Sequence, residues 1–425
     1  MNQLQDTRDR ESTGRRSGPD ALYLHVPFCF HKCHYCDFYS VEHDAVRQPT
    51  VQADYTDALI RELQHHAALG PLRPATLFVG GGTPTLLRPD LWRRLLDALR
   101  DCGATQACHE FTVEANPETV NLEIAQVLAA GGVNRVSLGA QSFHPGHLKT
   151  LERWHDPASV PRALDHLRAA GITNLNLDLI FAIPGQTLAE ALADVDTALA
   201  LAPTHLSTYS LTYEPNTAMT RRLQLRQFTP APEELERDMY AAIIDHVEAA
   251  GFEHYEVSAF AARTGSGARV SGSADADVHN SDGTRHPEPG ARALCCHHNL
   301  AYWRNANWLG LGASAASHVD GRRWQNAPRV SEYIADSPRP PVADDETLTP
   351  SQRVGDALML GLRLREGVAL DWLDAQLVGD DKPARRRRER IDHFVTLGLL
   401  ERTATHLRLT RPGLFVADAV LAELI

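Results

Sequence analysis

Three cysteines, Cys29, Cys33 and Cys36, stand in a C-x3-C-x2-C spacing inside the run HVPFCFHKCHYCDF. One short loop can bring all three sulfurs around a single centre, and thiolates are soft ligands that suit zinc, copper(I) or iron–sulfur clusters. A structural zinc asks for four protein ligands, which His25, His31 or His34 could complete. A four-iron cluster held by three cysteines instead leaves one iron open to a ligand that is not protein.

A second group of residues follows. GGGTPT, at positions 80–85, comes directly after a strand-like run. Successive glycines let the backbone approach a ligand and present N–H and C=O groups to it, although the same run can also be a tight turn. Glu114 in VEANP, Gln141 in GAQSF, Arg153 in LERWH and Asp178 in NLDLI are polar residues near the ends of further strand-like runs. In a barrel of parallel strands, such residues face one mouth, where ligands sit. Each also has an ordinary reading: Arg153 as a helix-surface charge, Gln141 as a turn residue, Asp178 as the partner of a buried backbone group.

The elements that must position these residues alternate. Strands are expected at 21–26 (ALYLHV), 76–80 (TLFVG), 111–115 (FTVEA), 135–139 (RVSLG), 174–180 (NLNLDLI) and 205–211 (HLSTYSL). Helices are expected at 55–69, 91–101, 122–130, 160–170 and 188–200, and strands alternating with helices imply crossovers and a parallel sheet. Beyond them, 233–250 reads as a helix and 251–260 as one strand. From 261 to 292 the chain is rich in Gly, Ser, Ala, Asp and Pro with few aliphatic side chains, the composition of a low-complexity insertion. Residues 1–20 are polar and aperiodic and read as a disordered extension. A connecting segment, 293–348, leads to a last unit at 349–425, in which three helices, two short strands around a turn and a closing helix resemble a winged-helix module.

The net charge of the 425 residues is −12, which disfavours nucleic-acid binding, because that needs a concentrated positive surface. The basic run 385–388 with Arg390 reads as a solvated helix face. Seven cysteines without a secretory leader point to reduced thiols and a cytoplasmic protein. No apolar run is long enough to span a bilayer, which leaves only peripheral membrane contact open.

The cysteine spacing, with Tyr35 just before the last cysteine, resembles the signature of the radical S-adenosylmethionine (SAM) superfamily. The set HVPFC-x3-C-x2-C, GGGTPT, EANP, GAQSF, NLDLIF-x-IPGQT, YEVSAFA and HNLAYW resembles the anaerobic coproporphyrinogen III oxidase family, and within it the haem-chaperone (HemW) subfamily. That resemblance implies an α/β fold, a partial (β/α)6 barrel with the winged-helix-like module at its C-terminus. It implies a [4Fe-4S] cluster on Cys29, Cys33 and Cys36, and SAM contacts at Tyr23, Tyr35, Gly81, Gly82, Thr83, Glu114, Gln141, Arg153, Asp178 and Thr212.

Two departures from the family pattern stand out. Its oxidases carry a further cysteine two positions after the third, where this chain has Phe38, as the chaperones do. Ala182 replaces a usual glycine, which implies φ < 0 at that position. Cys296, His297, His298 and Asn299 fit the chaperones' C-x-H-N, with Tyr302 and Trp303 after them. Cysteine and histidine are both axial ligands of haem iron, so Cys296 and His298 are candidate haem contacts. Equally, the segment can be a loop anchored in the core by its aromatic pair. Cys102 and Cys108 lack such company and read as small buried residues. The functions implied are a haem chaperone that passes haem to an acceptor protein, or an oxygen-independent oxidase that decarboxylates coproporphyrinogen III to protoporphyrinogen IX. A DNA-binding iron–sulfur sensor is disfavoured by the acidic charge.

Overall fold

The computed structural model describes residues 18–44, 48–263, 294–379 and 381–425. The expected N-terminal extension and the low-complexity insertion lie almost wholly outside them.

Six parallel strands run side by side in chain order: β1 (Ala21–Val26), β2 (Thr76–Gly81), β3 (Glu110–Ala115), β4 (Arg135–Gln141), β5 (Asn174–Phe181) and β6 (His205–Ser210). A helix occupies each crossover: α1 (Val51–Leu69), α2 (Pro89–Asp101), α3 (Leu122–Ala130), α4 (Ser159–Ala169) and α5 (Leu188–Ala200). Local chemistry sets where these helices start. Asn121 caps α3 by accepting from Ile124 N at 2.9 Å, and Thr187 and Glu190 form a reciprocal capping box at the head of α5.

Side chains along a strand alternate between faces, and here the alternation separates oil from chemistry. Leu22, Leu24 and Val26 of β1, Leu77 and Val79 of β2, Phe111 and Val113 of β3, Val136 and Leu138 of β4, and Leu175 and Leu177 of β5 all join one core with the helices. Each such leucine contributes about 2 kcal/mol on burial. The intervening positions carry Tyr23, His25, Glu110, Glu114, Arg135, Ser137, Asn176, Asp178, His205 and Ser207, so the opposite face of the same sheet is polar.

The sheet extends past both edges of this unit. Residues 251–260, expected as one strand, fold into the antiparallel pair β7 (Phe252–Glu256) and β8 (Ala259–Ala262), with β8 against β6. The Glu256 carboxylate accepts from Ser258 N at 3.2 Å and fixes the turn between them. The segment expected as a connector joins the sheet as well. Its helix α7 (His297–Trp303), which follows α6 (Glu233–Ala249), leads into β9 (Trp308–Leu311), parallel to β1. Antiparallel β10 (Ala316–Val319), β11 (Arg322–Asn326) and β12 (Val342–Thr347) then complete the order β12-β11-β10-β9-β1-β2-β3-β4-β5-β6-β8-β7.

The C-terminal module has its own core, which includes Leu358, Leu362, Ile391, Phe394, Leu407 and Leu409. Helices Pro350–Gly361, Leu370–Gln376 and Lys382–Thr396 pack on the antiparallel strands Val368–Ala369, His406–Leu409 and Leu400–Arg402, and two short helices, Arg411–Leu414 and Ala417–Ala422, stand where one was expected. Backbone bonds from Val257 N to Arg363 O (3.1 Å) and from Arg365 N to Tyr255 O (3.0 Å) tie the module to β7. The basic run is not simply a solvated face. Arg387 is buried, donating to Leu424 O at 2.9 Å and to Ser351 O at 2.9 Å, and Arg390 pairs with Glu423. Among the described residues no helix is long and apolar enough to cross a membrane.

Candidate functional site

The three cysteines sit on a loop beyond the C-terminal end of β1. Phe28 and Cys29 pair with Val41 and Glu42, and bonds from Val41 N to Pro27 O and from His43 N to Cys29 O, both 2.8 Å, close the loop at its base. All three thiols are free and half-buried. Protein donors point at two of them: Thr83 Oγ1 lies 3.6 Å from Cys29 Sγ, and Arg153 Nη1 lies 3.6 Å from Cys33 Sγ. Burial pushes the Cys29 thiol up, against the Thr83 hydroxyl, and pushes Cys36 up to about 11. Thiolate coordination must therefore displace protons from these groups.

Among the described residues, no three His, Cys, Asp or Glu side chains are gathered around a point where one ion could sit. A four-iron cluster makes a different demand, three thiolates on three different irons, and three half-buried thiols on one loop fit it. Two of the three imidazoles that could have completed a zinc site are hydrogen-bonded elsewhere, while the third, His31, is stacked but keeps a buried Nε2 without a hydrogen-bond partner among the described residues. His25 donates from Nε2 to Tyr39 O at 2.8 Å and accepts from Tyr23 OH at 3.0 Å; His31 stacks on Trp154 at 4.1 Å; His34 Nδ1 meets Arg222 Nη1 at 3.2 Å.

The glycine run lies beside this loop, and the structure gives a reason for it that the sequence did not. Gly81 has φ +107°, and a Cβ there would lie 2.4 Å from the His25 ring; one at Gly82 would lie 2.7 Å from Phe28 O. The glycines let β2 approach the start of the cysteine loop. Their N–H groups are spent in doing so: Gly81 N donates to Glu114 Oε2 (3.0 Å), Gly82 N to Val26 O (2.9 Å) and Thr83 N to Phe28 O (2.7 Å). Thr83 O accepts from Leu86 N at 2.9 Å, so what Gly81 and Gly82 can offer a ligand is carbonyl oxygen, the acceptor an ammonium group needs.

The remaining candidates line the same mouth. Arg153, far from being a surface charge, donates from Nη2 to Gly139 O at 2.9 Å, an approach that a side chain at residue 139 would block, since its Cβ would lie 2.8 Å from that nitrogen. A bulge between Gly139 and Gln141 puts Gln141 at φ +63° and re-aims it. Burial raises Asp178, which accepts from Ser137 Oγ and Asn176 Nδ2, and pushes Glu114 up to about 7. Tyr35 packs against a small cluster containing Leu151, Ile180 and Leu211, which pins the cysteine loop to the ends of β5 and β6. Thr212 lies on the exposed chain after β6, where its hydroxyl reaches Ser210 O at 3.3 Å. At Ala182 the expectation of φ < 0 is overturned: φ is +59°, the left-handed conformation of the glycine it replaces, at a cost of about 1 kcal/mol.

The C-x-H-N segment is at the other end of the barrel. Glu110, at the start of β3, accepts from His297 N (2.8 Å) and His298 N (2.9 Å), and Cys296 Sγ lies 3.7 Å from it. His298 is buried, with Nδ1 at 2.9 Å from Thr76 Oγ1, at the start of β2, and Nε2 at 3.0 Å from Tyr302 OH. Cys296 is buried too, and burial pushes its thiol up to about 12. Neither is placed to ligate haem iron: the imidazole has both nitrogens occupied, and the thiol is neutral and enclosed. As folded, the segment has the packing of the anchoring alternative, with α7 plugging the N-terminal ends of the strands.

Between plug and mouth runs a buried chain of hydrogen bonds. Cys296 N donates to Tyr255 OH (3.1 Å), Tyr255 OH to His205 Nε2 (2.8 Å), His205 Nδ1 to Asn176 Oδ1 (2.6 Å) and Asn176 Nδ2 to Asp178 Oδ1 (2.8 Å). Sequence reasoning missed Glu110, Thr76, Asn176, His205 and Tyr255. The available signal was a polar residue at every second position of otherwise apolar strands.

Comparison with known proteins shows the family and the fold. Residues 23–198 match the Radical SAM superfamily, and residues 348–416 match the HemN C-terminal domain. The protein named "Heme chaperone HemW" from Lactococcus lactis is 34% identical over 353 residues, covering 83% of this chain and 84% of that protein. The chain belongs to the HemW family. The HemW of Escherichia coli is 36% identical over 72% of each chain, and that of Mycobacterium tuberculosis 33% identical over 96% of this chain and 95% of that one. Among solved structures, the coproporphyrinogen III oxidase HemN of Escherichia coli shares the fold, with a TM-score of 0.75 over 98% of this chain and 93% of that one at 20% identity. Membership in the radical SAM superfamily implies a [4Fe-4S] cluster and SAM as cofactors.

Proposed function

We propose that this chain is a cytoplasmic haem chaperone on a radical SAM scaffold, which takes up haem and passes it to an acceptor protein. In this reading Cys29, Cys33 and Cys36 hold the cluster, and SAM occupies the mouth formed by 81–83, Glu114, Gln141, Arg153 and Asp178. When bound, cluster and SAM together supply one-electron cleavage chemistry. The chain's own residues do the rest. Thr83 and Arg153 donate toward sulfur and favour its anionic form, the Gly81 and Gly82 carbonyls receive an ammonium group, and the buried Glu114 and Asp178 offer acceptors in a site with little water.

The observation that carries the reading is Phe38. It stands two positions after Cys36, where the family's oxidases place a thiol, and its ring is 65% exposed. A benzyl group supplies neither a ligand nor a proton donor there, and an exposed ring is a surface for an apolar partner. The alternative, oxygen-independent coproporphyrinogen III oxidase, draws on the shared HemN fold. Anaerobically purified protein, given SAM and a reductant, is incubated with haem in one vessel and coproporphyrinogen III in another. Expected are a haem absorption band in the first and no multiple-turnover protoporphyrinogen in the second; sustained product would make this an oxidase.

A further inference from the structure

An open cleft of about 530 Å3 lies between the cysteine loop, the β1/β9/β10/β11 part of the sheet and the first helix of the C-terminal module, which contributes Leu360. Its wall is aromatic: Tyr23 from β1, Phe38 and Tyr39 from the cysteine loop, Tyr302 from α7 and Trp308 from β9. The Tyr302 and Trp308 rings pack edge to face at 4.9 Å, so that side is rigid, while Phe38 stands exposed. The size falls within the roughly 300–1,000 Å3 of sites that bury a cofactor-sized molecule. That aromatic area, beside the polar side chains His25, Asp37, Ser314 and Gln325, selects a flat ligand with a mostly apolar body and polar groups at its edge.

Charge narrows the choice further. The exposed Lys32 donates from Nζ to Phe38 O at 3.4 Å, which puts its ammonium just outside the lining, beside the exposed ring. The acidic group of the wall, Asp37, precedes Phe38. A ligand with a flat apolar body and a carboxylate at one edge meets both the aromatic wall and the lysine.

We propose that haem binds in this cleft, with its ring against Phe38 and Trp308 and a propionate toward Lys32, and not on the C-x-H-N segment. The proposal rests on the haem-chaperone reading and adds its binding site. It carries a chemical corollary. The imidazole in the wall, His25, has both nitrogens hydrogen-bonded, to Tyr23 and Tyr39. Affinity therefore comes from the porphyrin faces and edge more than from an axial bond to iron, which suits a carrier that must release its cargo. Metal-free protoporphyrin IX should compete for the same place.

The test is a haem titration by absorbance with wild type and with Phe38→Asp, Lys32→Glu, Trp308→Leu and His298→Gln, with iron–sulfur content measured for each. Phe38→Asp should weaken haem about tenfold, the equivalent of a lost aromatic contact with an added charge clash. Lys32→Glu should weaken it several-fold, and Trp308→Leu, on the wall away from the cysteine loop, should do the same with the cluster intact. His298→Gln should leave both affinity and Soret position unchanged, and protoporphyrin IX should displace haem from wild type. If wild type binds no haem, the chaperone reading itself fails. If wild type binds haem but the three cleft variants retain its affinity, or if protoporphyrin IX does not compete, the cleft is wrong while the chaperone reading stands.

Discussion

The two ends of the barrel use the same residue types and do opposite things with them. At the C-terminal ends of the strands, Cys29, Cys33 and Cys36 are half-buried on a loop, with hydroxyl and guanidinium donors aimed at sulfur. At the N-terminal ends, Cys296 and His298 are enclosed, and Glu110, Thr76 and Tyr302 take up their bonding capacity. A cysteine or histidine becomes a ligand only if its lone pairs are left unspent and a metal can reach them. The mouth meets that condition, and the plug fails it.

The largest effect expected is at the mouth. Cys33→Ala should abolish reconstitution of a four-iron centre, since two thiolates cannot hold it, whereas Cys102→Ala and Cys108→Ala should give wild-type iron content. Iron and sulfide analysis after anaerobic reconstitution decides this. A normal iron-to-protein ratio in Cys33→Ala would break the distinction between the ends.

Next comes the plug. Glu110→Ala removes the acceptor of two buried N–H groups, and chemical denaturation should show a loss of about 3 kcal/mol with cluster chemistry retained in the folded fraction. Cluster loss in Glu110→Ala protein that is still folded would mean the ends are coupled through Tyr255, His205, Asn176 and Asp178 more tightly than packing requires.

A pH measurement sharpens the contrast. Burial pushes His298 down to about 3, so the folded protein keeps it neutral. In the unfolded chain it titrates near 6.5 and takes up a proton that the folded state refuses, so this contribution is whole above that value and is lost as pH falls toward 3. Between pH 7 and pH 5 it amounts to about 2 kcal/mol. His298→Gln should flatten the acid dependence of stability by that amount; an unchanged slope would mean the imidazole is not enclosed.

The smallest effect is expected from Trp154, which is 71% exposed and stacked on His31. Trp154→Ala should cost about 0.5 to 1 kcal/mol of loop order, read as faster cluster loss to a chelator with unchanged global stability.

Much of this was legible in the chain. The β/α alternation, the helix positions and the cysteine loop follow from periodicity and spacing, because the signals are local. The hairpin within 251–260 was missed because its turn is made by a side chain, Glu256, bonding two residues on. The place of residues 294–348 was missed because β9 pairs with β1, nearly three hundred positions away in the chain, and short-range patterns carry no information about such a partner. The run 385–388 looked uniform, yet one arginine of it, Arg387, is buried by contacts with Ser351 and Leu424.

The sequence by itself determined which residues could do chemistry: three thiols at iron–sulfur spacing, a glycine run after a strand, polar residues at strand ends, and Phe38 in place of a fourth thiol. Only the tertiary structure decided which of them are available to do it. Availability depends on solvent access and on whether each donor and acceptor already has a partner, and those partners come from strands and helices remote in sequence. Thus His298 and Cys296, ligands by residue type, are plug residues by environment, while Tyr302 and Trp308, from the same stretch of chain, face an open cleft beside the cysteine loop.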